Sequence, residues 1–301
     1  MESPYHIPVL REEVIEGLRI RPDGTYVDCT FGGGGHAAAM LEGLNESGKL
    51  VAFDQDAAAR QNLPADERVL FVQQNFRHLQ RFLRLHAIPE VDGIIADLGV
   101  SSHQFDEPDR GFSIRHNAPL DMRMDKRQTL TAYEIVNSYT EEQLHKIFEQ
   151  YGEVTNARTL ARTIVQVRRT VSLKTVDGFR NAIRGIVKGN PNRYFAQVFQ
   201  ALRIEVNDEI GSLRELLLQL PVVLKQGGRV AIISFHSLED RLVKAFFRRG
   251  TFDEPGTHPF STEERAAPLV PVNKKPILPS EKEIKTNPRA RSAKLRIAEK
   301  I

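Results

Sequence analysis

Four consecutive glycines, Gly32 to Gly35, constrain this chain more than any other feature. Before them, Tyr26, Val27 and Cys29 are the β-formers of a short buried strand. After them, Ala37, Ala38, Ala39, Met40, Leu41 and Leu44 read as a helix. A flexible linker is rarely framed by a strand and a helix in this register. Strand, glycine turn and helix together make the first turn of a doubly wound α/β fold. There the backbone approaches a ligand closely and the helix N-terminus offers free N–H groups. The sequence therefore predicts an α/β fold with a ligand loop at its first turn.

Gly32-x-Gly34-x-x-Ala37 satisfies the dinucleotide pattern literally, a weak signal by itself. Two features argue for a different ligand. Asp28 ends the first strand, four positions before the first glycine, where a carboxylate is awkward beside a pyrophosphate and suited to a cationic group. His36 then stands at the helix start in place of a small residue. S-adenosylmethionine, with an ammonium, a sulfonium and one carboxylate, suits that charge arrangement better than a nicotinamide or flavin dinucleotide.

The alternation of strands and helices continues. Residues 7–18 read as a short amphipathic helix. Lys49-Leu-Val-Ala-Phe-Asp54 is a second strand whose terminal acid lies 22 positions after Gly32, where doubly wound folds place a carboxylate that accepts ribose hydroxyls. Asp56 competes for that role and could instead cap the helix from Ala57. Val69 to Asn75 is a third strand, and Phe76 heads a helix to Ala87 from the carboxyl edge of the sheet. Val91 to Asp97 is a fourth strand, followed by a Gly/Ser loop to Ser102. Ligands of open α/β sheets bind beyond the carboxyl ends of the strands, so Asp28, Asp54, Phe76 and Asp97 converge on one crevice.

From about Asp106 the alternation stops for nearly a hundred residues. A turn-rich loop, Asp109 to Asp125, precedes helices over Thr131–Ser138, Thr140–Gln150, Asn156–Arg169 and Val176–Val187, with a capping-box pattern at Thr140-Glu-Glu-Gln. A single long helix is predicted from Phe195 to Leu220, then a fifth strand from Gln226 to Phe235 and a helix opening at His236. Residues 251–279 read as an irregular loop, and Ser292 to Glu299 as a final edge strand. The expected organisation is a discontinuous α/β core, residues 1–108 and 204–301, interrupted by a helical domain over 109–203.

Charge singles out that insertion. The 301 residues carry a net charge of only +3, yet Tyr151 to Arg203 holds ten Arg/Lys against Glu153 and Asp177, a net +8. Glu281 to Ile301 adds +4. Two basic blocks in a nearly neutral chain point to a polyanionic partner such as nucleic acid. The lone cysteine, Cys29, excludes an intramolecular disulfide and a cysteine-rich metal cage. No apolar run approaches ~20 residues, so no membrane partner is expected. Residues 1–6 have no secretory pattern, and the expected compartment is the cytoplasm. His36, His103 and His236 lack metal-ligand spacing, so no catalytic metal is expected.

Six motifs then occur in one order: Thr30 to His36, Asp97 to Ser102, Pro119-Leu-Asp-Met-Arg-Met-Asp125, Phe199 to Asn207, Ser234-Phe-His-Ser-Leu-Glu-Asp-Arg241 and Asn287 to Ser292. In this set the chain resembles the ribosomal RNA small subunit methyltransferase H (RsmH, or MraW) family over essentially its whole length. The resemblance implies a class I S-adenosylmethionine-dependent methyltransferase core (Rossmann-like) with an inserted helical domain. It also implies methyl transfer to N4 of a cytidine in the decoding centre of 16S rRNA, with the small ribosomal subunit as partner. Carried onto this sequence, the cofactor contacts fall at Gly34, Gly35, His36, Asp54, Phe76, Asp97 and Gln104.

A cytosine amino group is a poor nucleophile because its lone pair is delocalised into the ring. Acceptors for its N–H groups and in-line alignment with the methyl carbon would help it. Asp97-Leu-Gly-Val lacks the prolines and aromatic that many amino-methyltransferases carry after the fourth strand. Asp97, with Ser101 or Ser102, is the candidate acceptor and the one candidate catalytic residue. The base must leave its stack, and the Asp121–Asp125 loop and the surroundings of His236 are candidates to hold it. The competing readings are a nicotinamide-dependent dehydrogenase and a non-catalytic RNA-binding factor; a homodimer is left open.

Overall fold

The computed structural model describes residues 8–252 and 267–301; the N-terminal residues 1–6 and the middle of the proline-rich 251–279 stretch lie outside them. The strands are β1 Thr25–Asp28, β2 Lys49–Phe53, β3 Val69–Val72, β4 Val91–Asp97, β5 Leu224–Ser234, β6 Leu269–Pro271 and β7 Lys294–Lys300. The helices are α1 Arg11–Leu18, α2 Gly35–Glu42, α3 Leu79–Leu85, α4 Ser102–Asp106, α5 Ala132–Ser138, α6 Glu141–Gln150, α7 Ala157–Val167, α8 Val176–Ile183, α9 Pro191–Asn207, α10 Glu209–Val223, α11 Ser237–Arg249 and α12 Glu281–Thr286. They fall into two units, residues 1–99 with 210–301 and residues 100–209. The helical unit thus starts nine residues before, and ends six residues after, the 109–203 read from the sequence.

In the first unit the sheet order is β3-β2-β1-β4-β5-β7-β6. β3, β2, β1, β4 and β5 are parallel, whereas β7 runs antiparallel to both β5 and β6. Helices cover both faces, so the strands are apolar on both sides. Val27, Val51, Phe53, Ile94 and Ala96 point to a core shared with α3, α10 and α11. Tyr26, Leu50, Ala52 and Ile95 point to the opposite core, closed by α1 and α2. This is a Rossmann-like α/β sheet whose strand order reverses between β1 and β4, and a crevice opens at such a switch point.

Two sequence expectations are corrected here. The carboxy-terminal strand is not an edge: β7 uses both backbone sides, and the three-residue β6 within the proline-rich stretch lies outermost. The long helix expected over 195–220 is two helices. Asp208 takes a left-handed conformation (φ 45°) and caps α9. Beside it, the buried Asn207 amide donates to Met122 O (2.8 Å) and its carbonyl accepts from Met124 N (2.7 Å). The apolar stripe continues across the break, so periodicity alone reads through it. α9 also starts earlier, with Pro191 at its first position and the Asn190 side chain capping Arg193 N.

The second unit packs α5 to α9 around one core that includes Ile135, Leu144, Phe148, Leu160, Ile164, Phe179, Val198 and Leu202. The capping box at Thr140 is formed, and a second one occurs at Thr131 with Glu134.

Candidate functional site

The glycine loop leaves β1 and enters α2 through backbone that only glycine adopts without strain. Gly34 has φ 78° and is the N-cap of α2, and Gly32 has φ 49°. A Cβ on Gly34 would meet the Phe31 ring at 3.1 Å, whereas one on Gly33 would meet nothing within 4 Å. Gly35 and His36 are the first two helical residues, so their N–H groups have no partner inside the helix.

Three carboxylates stand at the carboxyl ends of β1, β2 and β4. Asp28 is almost fully buried, and its Oδ1 accepts from Thr30 N at 3.0 Å. Burial pushes its carboxyl up from 3.8 to about 6, against the opposing pull of His36 and the Thr30 hydrogen bond. Asp54 is tied into the loop: Oδ2 accepts from Gly32 N (2.7 Å) and Oδ1 from Asp56 N (2.8 Å). Burial raises it to about 6 as well. Asp97 N donates to Thr30 Oγ1 at 2.7 Å, which fixes the end of β4 against the start of the loop.

His36 is buried beside this group, its Nε2 3.7 Å from Asp97 Oδ2, an ion-pair rather than a hydrogen-bond distance. Burial works against its imidazolium, but Asp97 and then Asp28 outweigh it, and the His36 pKa is raised. Asp28 Oδ2, Asp97 Oδ1 and both His36 nitrogens are buried without a hydrogen-bond partner among the described residues. Buried polar groups normally have partners. Orphaned carboxylate oxygens beside a glycine cradle are the complement of a ligand with cationic and N–H donor groups.

Phe76 follows β3 in a short 3₁₀ turn, residues 76–78, half-buried against the core of the α3 face. Asn75 caps that turn at Arg77 N and donates to Gln55 Oε1 at 2.9 Å, which joins the end of β3 to the residue after Asp54. Asp56, itself buried, caps the 3₁₀ segment 57–62 through Ala58 N, whereas Asp54 bonds to the glycine loop at Gly32 N. Gln104 belongs to the helical unit, where it is buried in α4 and closes a capping box with Ser101. The Ser101 hydroxyl is taken up by Gln104 N. His236 likewise caps α11, with Nε2 3.2 Å from Glu239 Oε1.

Sequence reasoning missed two residues that shape the loop. Thr30 bridges Asp28 and Asp97, and the only trace of this is a side chain two residues after an aspartate. Asn62 donates to Gly32 O at 2.8 Å across thirty residues, for which there is no local signal.

The MraW methylase family matches residues 3–301. The chain belongs to that family. The ribosomal RNA small subunit methyltransferase H of Parabacteroides distasonis is 51% identical over 302 residues, covering 100% of this chain and 99% of its own. That of Flavobacterium johnsoniae is 51% identical over 99% of this chain and 98% of its own. Among solved structures, an rRNA methylase from Streptococcus thermophilus aligns over 100% of this chain and 98% of its own, at 12% identity and a TM-score of 0.41. The class I methyltransferase fold of this family member is carried by its own strand order, with β7 antiparallel between β5 and β6. No helix among the described residues is long and apolar enough to cross a membrane.

Proposed function

We propose that this chain transfers a methyl group from S-adenosylmethionine to N4 of a cytidine in the decoding centre of 16S rRNA. The observation that carries the reading is the pairing of an acceptor-rich crevice with its family. Asp28, Asp54 and Asp97 surround a glycine loop in a methylase family whose half-identical, full-length relatives are named for the small-subunit ribosomal RNA. A dehydrogenase would bring a pyrophosphate to those carboxylates, at a Coulombic disadvantage.

When bound, S-adenosylmethionine supplies a methyl carbon on a positively charged sulfur that leaves with the bonding pair. The residues present fit it. Asp54 uses two acceptor positions on Gly32 and Asp56, and a carboxylate has about four, so two ribose hydroxyls can still be held. Gly34, Gly35 and His36, at the N-terminal end of α2, would hold the methionine end, and Phe76 would pack against the adenine. Gln104 is proposed as a further cofactor contact on the strength of its motif. Asp97 is the acceptor for the target amino group: its unpartnered Oδ1 orients one N–H and receives the proton that the nitrogen sheds as the new bond forms. The basic helical unit supplies the electrostatic attraction for the RNA.

The deciding experiment is methyl transfer from radiolabelled S-adenosylmethionine to small ribosomal subunits from cells lacking this protein, with the product nucleoside identified by mass spectrometry. N4-methylcytidine at one decoding-centre position is the expected result. Label on another base overturns the substrate, and no label despite measurable cofactor binding overturns the activity.

A further inference from the structure

The net +8 of residues 151–203 is not a uniform basic face, because the fold consumes part of it. Arg162 pairs with Glu141, and Arg203 holds Glu209 through two nitrogens. Arg168 donates to the carbonyls of Val136 and Tyr139, and Arg180 to Ile114 O and Asp177. These four close the unit on itself. Arg158, Arg169, Lys174, Arg184, Lys188 and Arg193 are exposed, and none is in an ion pair among the described residues. Three of those six fall within Arg184-Gly-Ile-Val-Lys-Gly-Asn-Pro-Asn-Arg193, which contains no acidic residue.

That ten-residue segment begins as a short 3₁₀ turn, residues 184–186, is anchored by Ile186 and Val187, which pack half-buried against the core of the unit, and is exposed from Lys188 to Arg193. The buried Asn156 amide donates to Ile186 O at 3.0 Å, tying the segment to the start of α7. At the other end the Asn190 side chain accepts from Arg193 N as α9 begins. Gly189 needs glycine for its conformation, with φ 70°, but Gly185 does not, and a Cβ on either would meet nothing within 4 Å. Neither glycine is there to let the protein pack on itself. A bare backbone between three free cations lets a phosphate approach main chain and side chains together.

We infer that residues 184–193 are the phosphate grip of the helical unit, with Arg184, Lys188 and Arg193 each facing one phosphate of an RNA backbone. The inference rests on the RNA-methylating reading and adds where the RNA is held. Such contacts orient the RNA without reading its sequence, leaving base selection to the methyl-transfer site.

The test is the salt dependence of binding to small ribosomal subunits that lack the methyl group. The triple variant Arg184→Gln, Lys188→Gln, Arg193→Gln is compared with a charge-matched variant of the same unit, Lys146→Gln, Arg169→Gln, Lys174→Gln. Each lost phosphate contact lowers the slope of log affinity against log salt by about 0.7, so the loop variant loses about 2 from its slope. Between 50 and 200 mM salt the wild type then loses about twenty times more affinity than the loop variant. The expected result is that fall in the loop variant, less than half of it in the matched variant, and unchanged calorimetric cofactor affinity in both. Equal falls in the two variants, or none in the loop variant, overturn the grip while the methylation reading stands. Absence of salt-dependent subunit binding by the wild type overturns both. Should the triple variant lose cofactor binding, Lys188→Gln alone must still lower the slope by about 0.7. Displacement by polyglutamate as readily as by single-stranded RNA of equal charge would assign the loop to acidic protein instead.

Discussion

Replacing Asp28 by asparagine should change the stability of the α/β unit in a pH-dependent way, increasingly in the variant's favour as pH rises. The carboxyl is raised from 3.8 to about 6 by burial, so the fold favours its protonated form. Between those values the folded chain holds a proton that the unfolded chain has released, and stability falls as pH rises through the window. The penalty is fully developed above pH 6. It amounts to about 3 kcal/mol at pH 7 and about 1.6 kcal/mol at pH 5. Asparagine keeps the acceptor facing Thr30 N and removes the titration, at a pH-independent cost from its own buried N–H groups. That constant cancels when two pH values are compared. The variant's stability relative to the wild type should therefore fall by about 1.3 kcal/mol from pH 7 to pH 5. His36 works in the same direction, since losing Asp28 removes one of the charges that raise it, and Arg11 opposes its imidazolium in both proteins. Hydrogen exchange of the β1 and β4 amides, read by mass spectrometry at the two pH values, measures opening of this unit by itself. A difference equal at pH 5 and pH 7, or more in the variant's favour at pH 5, would refute the assignment of Asp28 as a buried, destabilising charge. Added S-adenosylmethionine should protect the wild type more than the variant, because a cationic ligand turns that destabilising charge into a partner.

Asp54→Ala removes two charged acceptors from the proposed ribose contact. Calorimetry should show cofactor affinity falling at least about a hundredfold at pH 7, with a smaller difference at pH 5, where the carboxyl, raised to about 6, is mostly protonated. Gly34→Ala places a Cβ in left-handed backbone and 3.1 Å from the Phe31 ring; a loss of about 1–2 kcal/mol in urea denaturation is expected, together with weaker cofactor binding. Asn207→Ala leaves Met122 O and Met124 N without the partners that hold the Met122–Met124 loop against α9. The helical unit should lose about 2–4 kcal/mol, seen as faster exchange of α9 amides with β1 and β4 unchanged.

The strand ends were legible because buried parallel strands are short apolar runs, and an acid that terminates one is conspicuous. Asp28, Asp54 and Asp97 each follow such a run, and the sheet brings all three to the same edge. The capping of Ala58 by Asp56 was legible for a similar reason, since an N-cap acts two or three residues away. Contacts between residues distant in sequence were not. Nothing near Asn62 announces that it will hold Gly32 O, and nothing near Asn207 announces the two methionine backbones it will bind. The break at Asp208 was hidden because an apolar stripe records which face is buried and carries no mark of where the backbone turns over.

Charge shows the same division between local and distant information. The sequence counts cations, and a count treats Arg168 and Lys188 alike. The fold separates them: Arg168 is turned inward onto two carbonyls, while Lys188 stands on an open loop among unpaired cations. A guanidinium that satisfies buried carbonyls costs stability when removed and changes salt dependence little, whereas a free surface cation does the reverse. Arg168→Gln should therefore destabilise the helical unit by about 1–3 kcal/mol while leaving the salt slope of RNA binding near that of the wild type. A slope reduced as much as in Lys188→Gln would mean that the helical unit binds RNA by its total charge, and that the sorting of its cations has no bearing on the partner.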